Sequence, residues 1–146
     1  MNEFIEFEIS SIQRFEKLQA VVSQLTSCKK INKWHSDASW LEYFDNEARA
    51  CFWWPTQEEL EEWKKHWFST PVQQRFTEPS LKRPWILNSM LDALKNGDCE
   101  LIGCKKISEK IGQLEFIPQA HPYGGTDSMK ALIESFGHRV VFATIE

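Results

Sequence analysis

The chain has 146 residues, 42% hydrophobic and 26% charged, with a formal net charge of -4 at neutral pH. This balance excludes collagen-like, disordered and membrane-spanning chains. A chain of this length hides about 70% of its surface on folding, enough for a core without staples, and we read 1–146 as a single α+β domain.

Acidic residues outnumber basic ones, 21 to 17, which argues against nucleic acid as the main partner. The basic residues fall in short scattered runs such as Lys29-Lys30, Lys64-Lys65, Lys82-Arg83 and Lys105-Lys106, the pattern of a solvated surface. No apolar run approaches the ~18 residues of a membrane span. The start, Met1-Asn2-Glu3-Phe4-Ile5-Glu6, has no apolar h-region and reads as no signal peptide. A cytoplasmic protein is therefore expected, with Cys28, Cys51, Cys99 and Cys104 reduced. Cys99 and Cys104 make only one loose pair, so neither a metal nor any other cofactor is expected.

In chain order, Phe4, Ile5, Phe7 and Ile9 interleave with Glu6 and Glu8 and predict a first strand. Ser10 with Gln13 reads as a capping box. Ile12, Phe15, Leu18, Val22 and Leu25 then share one stripe of a helix over about 11–26. Aromatic and β-branched residues predict strands at 31–34 and 48–54, with Asp45-Asn46 turning into the second and Pro55 ending it. Thr56 and Glu59 form a capping box, and Leu60, Trp63 and Trp67 lie on one face of the helix that follows. Thr70-Pro71 with Gln73 starts a short second helix, cut off at Glu78-Pro79. Pro84 opens another, whose Ile86, Leu87, Met90, Leu91 and Leu94 form a wide apolar arc closed by Asn96-Gly97. Residues 98–106 and 111–117 read as a hairpin. Met129, Leu132, Ile133 and Phe136 mark a last helix ending at Gly137, and 139–145 a closing strand.

The order β-α-β-β-α-α-α-β-β-α-β does not alternate strictly, which disfavours a doubly wound parallel sheet. The expected fold is α+β: a mixed, mainly antiparallel sheet of about five or six strands packed with about four helices.

Two candidate sites stand out. The first is Phe52-Trp53-Trp54, within a run of six tryptophans between positions 34 and 67. These rings either fill a core layer or, since strand neighbours point to opposite faces, leave an aromatic on the surface for a partner. The second is the loop with His121, Tyr123, Gly124, Gly125 and Thr126 before the last helix. It is either a capped turn or an anion-binding loop; Asp127 opposes an anion there, and the lysine of a phosphate loop is missing. His138 follows a helix end, where the dipole favours a positive imidazole. No hydrolase elbow or zinc-protease motif occurs, and Glu58, Glu59, Glu61 and Glu62 suit a helix start. The expected function is a small, non-catalytic regulatory or adaptor domain that binds another protein or peptide. The alternative is a small-molecule or anion binder, possibly an enzyme, that uses the glycine loop. Nucleic-acid binding comes third and requires a clustered basic face.

Overall fold

A computed structural model describes residues 2–97, 99–118 and 126–145. Among the described residues there are four strands, six α-helices and two 3-10 turns. The strands are β1 (Glu3–Glu8), β2 (Cys99–Lys106), β3 (Ile111–Pro118) and β4 (Arg139–Ala143). The helices are α1 (Ile12–Ile31), α2 (Asp37–Leu41), α3 (Asn46–Arg49), α4 (Gln57–Ser69), α5 (Leu87–Asn96) and α6 (Asp127–Ser135). The fold is mixed α+β as expected, with fewer strands and more helices.

The sheet runs in the order β2-β3-β1-β4 with every neighbouring pair antiparallel. β1 and β2 are both antiparallel to β3, so they are parallel to each other with β3 between them. By the same logic β3 and β4 are parallel, with β1 between them. Two β-α-β units therefore interleave, the arrangement of a split βαβ sheet. The first crossover, from β1 to β2, carries α1 through α5, and all seven tryptophans lie in it.

Alternation along the strands sends Ile5, Phe7, Leu114 and Phe116 into the core. They join one cluster with Phe15, Leu18, Val22 and Leu25 of α1, Met90 and Leu91 of α5, and Leu132 and Ile133 of α6. Burying such side chains contributes about 1.5–3 kcal/mol each. The partner residues of the opposite register carry charge, with Lys105 paired to Glu115 at 2.7 Å and Arg139 to Glu8 at 2.6 Å.

The strands expected at 31–34 and 48–54 are absent. Ile31 ends α1, and 48–54 spans the end of α3 and the turn beyond it. Propensity for strand is realised only beside a pairing strand, whereas local caps act alone. The Ser36 side chain accepts from Ser39 N, and that of Asp45 from Ala48 N. These caps start two short helices. Trp40 and Ala48 lie on them, Phe44 and Phe52 in the turns that follow each, and all four are buried in the core cluster. Their four-residue spacing suits such a chain of helical turns.

Other boundaries move for similar reasons. Ser11, not Ser10, caps α1 by accepting from Arg14 N. α1 runs past residue 26 because Cys28 continues its buried face, and Asn32 ends it in the left-handed conformation, φ 55°. After Pro71 there is only a 3-10 turn, Val72–Gln74, followed by another at Pro79–Leu81. α5 begins at Leu87, three residues after Pro84. Gly137 has φ +84° beyond α6, a conformation that strains any residue with a Cβ.

Candidate interaction surface

The segment 53–83 stands apart from the sheet. α4 opens with the full capping box: Thr56 Oγ1 accepts from Glu59 N, and Glu59 Oε1 accepts from Thr56 N, both at 3.2 Å. Two otherwise orphaned amides are thereby satisfied locally. None of its residues is fully buried, and its contacts are mainly with the turn Pro79–Leu81 rather than with the sheet. Trp63 and Trp67 are therefore half-buried, not core.

What they pack against is a row of rings. Trp53 meets Trp63 edge-on at 6.1 Å, Trp63 stacks on Trp67 at 5.3 Å, and Trp67 meets Phe76 edge-on at 5.7 Å. Trp63 Nε1 donates to Leu81 O at 2.9 Å, which holds the turn on the helix. Arg83 lies over Trp53 and Arg75 over both Trp67 and Phe68, with 5.8, 5.5 and 5.7 Å to the ring centres. Such contacts stabilise by about 0.5–1 kcal/mol each where water reaches them.

The outer end of this row is open. Phe76 is 81% exposed, Phe68 72% and Val72 65%. Single exposed apolar residues are ordinary, but these three sit around one arginine and one tryptophan, which makes a patch.

Of the sequence candidates, Phe52 is buried against Phe44 and belongs to the core. Trp53 is half-buried in the ring row. Trp54 is 53% exposed, and its Nε1 donates to Arg49 O at 2.8 Å. The three point to different places: Phe52 inward, Trp53 into the ring row and Trp54 toward solvent. A further exposed apolar group lies at Phe68, Val72 and Phe76. Phe68 falls outside the Leu60, Trp63 and Trp67 stripe, and that departure from the apolar face was the available signal.

His121, Tyr123, Gly124 and Gly125 of the second candidate lie outside the described residues. Thr126 is fully buried and precedes α6 without a side-chain capping bond; its Oγ1 has no hydrogen-bond partner among the described residues. Next to it is a cleft of about 280 Å³ between α5, β2 and the start of α6, lined by Trp85, Leu94, Leu101, Asp127, Ser128 and Met129 among others. That volume is at the lower limit of small-molecule sites.

His138 departs from its expected role. It is buried against Phe7 and Phe15, and its Nδ1 accepts from Ser10 N at 3.0 Å. Burial pushes its pKa below the ordinary value, so the neutral ring is favoured over the imidazolium. The other two described histidines make local bonds, His35 to Gln24 at 3.0 Å and His66 to Ser80 at 2.6 Å. Ser80 Oγ also lies 3.0 Å from a Glu78 carboxylate oxygen. A carboxylate only accepts, so the hydroxyl proton goes to Glu78 and His66 Nε2–H donates to Ser80; this serine is not activated as a nucleophile.

Cys28, Cys51 and Cys104 are free thiols, and burial raises the pKa of Cys104 to about 12. Among the described residues no three His, Cys, Asp or Glu side chains gather as a metal site, and no helix is long and apolar enough to cross a membrane. Comparison of the chain with protein-family models, curated proteins and solved structures finds no match in any of the three.

Proposed function

We propose that the chain is a non-catalytic regulatory or adaptor domain that docks another protein or peptide on the open end of the ring row. The observation that carries this reading is the exposure of Phe68, Val72 and Phe76 around Trp67 and Arg75. Aromatic and arginine side chains dominate the binding energy of protein interfaces. The patch is held by a self-capped helix and a tryptophan-pinned turn, so little ordering entropy remains to oppose binding. The proposal treats 1–146 as one domain in the cytoplasm, with neither nucleic acid nor membrane as partner. The connected core supports the first point.

A photo-crosslinking phenylalanine analogue placed at position 76 tests it. In extract from the source cells it should join the chain to one discrete protein. The same group at Ile107, an exposed position in the turn between β2 and β3, should not. Equal labelling from both positions would remove the proposal.

The second reading, a small-molecule or anion binder, rests on the cleft beside α6 and on the buried Thr126 hydroxyl, which has no hydrogen-bond partner among the described residues. Saturable thermal stabilisation by phosphate, abolished by Ser128→Asp, would favour it over the first.

A further inference from the structure

We infer that the segment bound on this patch is acidic as well as apolar: a carboxylate of the partner pairs with the terminal amino groups of Arg75, beside an anchor side chain that covers Phe68 and Phe76. The inference rests on the docking surface proposed above and specifies its partner.

Arg75 is fixed before any partner arrives. Its Nε donates to Trp67 O at 3.0 Å and to Thr70 O at 3.1 Å, both carbonyls at the end of α4. Those carbonyls belong to the set that a helix terminus leaves without intrahelical donors. The guanidinium is further held over Trp67 and Phe68. Both Nη1 and Nη2 then lack a hydrogen bond or ion pair to any described residue.

The other four arginines differ. Arg14 clamps Asp45, Arg139 binds Glu8, Arg49 Nη2 donates to Leu41 O, and Arg83 Nη1 donates to Ser80 O and Lys82 O. Arg75 is thus the arginine with a rigid, unused fork, and it sits within the exposed aromatic patch. A planar fork with two free amino groups matches a carboxylate bidentately. One guanidinium at the negative end of a helix suits a single negative charge better than a phosphate dianion. An anchor side chain that covers the flanking rings would exclude water from the pair, which strengthens it.

The test is selection of a random peptide library on the full chain, with Phe76→Ser as the counter-target. The expected peptides carry Asp or Glu close to an aromatic or aliphatic residue. Changing that acid to its amide should weaken binding by about 10- to 100-fold, the range for a charge-assisted hydrogen bond. Added salt should weaken it as well. Altering the peptide leaves the Arg75 bonds to α4 intact, so a misfolded variant cannot imitate the result. Arg75→Lys should lose most of the preference for the acid, because the charge stays and the fork goes. Peptides that need Phe76 but contain no acid, or bind equally well as amides, would overturn this inference and leave the docking surface standing. If the parent enriches nothing beyond the Phe76→Ser variant, both fall. Concentration-dependent self-association that Phe76→Ser abolishes would also overturn the inference, because a second copy would then cover the patch.

Discussion

Arg14 grips Asp45 with both ends of its guanidinium, Nη1 at 2.6 Å from Oδ2 and Nη2 at 3.1 Å from Oδ1. Lys17 adds a third contact to the same carboxylate at 2.9 Å, and Asp45 also caps α3 through Ala48 N. Arg14 Nε meanwhile donates to Phe136 O at 2.8 Å. One side chain of α1 thus ties the first crossover to the end of α6. Asp45→Ala should cost about 2–3 kcal/mol. About 1 of this is the lost cap, and the rest is the charge-assisted pair, discounted because water reaches both groups. The urea midpoint at neutral pH reads it. A loss below about 0.5 kcal/mol would make the pair an ordinary surface bridge.

The same clamp sets part of the acid limit. The Arg14 guanidinium holds the Asp45 carboxyl well below the usual carboxylate range. A depressed folded value means that the unfolded chain takes the proton first. The stabilisation is complete above about pH 4 and drains away as the pH falls further. Comparing the parent with Asp45→Asn across pH 2–6 should show the two stability curves converging at the acid end.

His138 acts at a higher pH. Its folded pKa lies below the ordinary 6.5, chiefly through burial, so the unfolded chain again binds the proton more readily. Stability is complete above about pH 6.5 and falls as the pH drops through that value. His138→Gln should be less stable at pH 7.5 but should show a flatter profile between pH 7.5 and 5.5. An unchanged slope would assign the pH dependence to other groups.

Gly112 lies opposite Phe7 in the β1–β3 ladder. A Cβ there would meet Phe7 Cζ at 2.5 Å and Phe15 Cε1 at 2.9 Å. Both rings are packed in the core, so neither can swing away. Gly112→Ala should cost about 1–3 kcal/mol by overpacking, which thermal unfolding will show. The double variant Gly112→Ala with Phe7→Leu should be less destabilised than the sum of the two single changes.

Phe76→Ser should leave stability within about 0.5 kcal/mol of the parent, because the ring is mostly in water. Trp63→Ala should cost about 2 kcal/mol and expose 70–80 to protease. It removes two ring contacts and the bond to Leu81 O. Large destabilisation by Phe76→Ser would make that ring a structural part of the 53–83 segment and weaken its role as a contact.

The sheet strands, α1, α4, α5 and α6 were legible because each carries a periodic apolar face long enough to outvote its neighbours, or a cap of fixed spacing such as Thr56 with Glu59. Residues 31–54 misled because aromatic residues suit strands and buried helices equally. Strand propensity outweighed the repeat Trp40, Phe44, Ala48, Phe52, although that repeat was already visible. The open patch was harder to see. Phe68 and Phe76 differ from core phenylalanines only in what packs on them, and their neighbour Arg75 becomes informative only once its hydrogen bonds are known.

The interleaving of the two β-α-β units also governs when the sheet can form. Ile5 of β1 pairs with Leu114 and with Ala143, each more than a hundred residues downstream. During synthesis β1 leaves the ribosome ahead of β3 and β4, so neither of its edges finds its strand until more than a hundred further residues have followed. Contacts this distant in sequence raise contact order and slow folding. Meanwhile Phe4, Ile5 and Phe7 remain a short sticky segment in the nascent chain. The charges that alternate with them, Glu3, Glu6 and Glu8, are where negative charge best deters premature pairing.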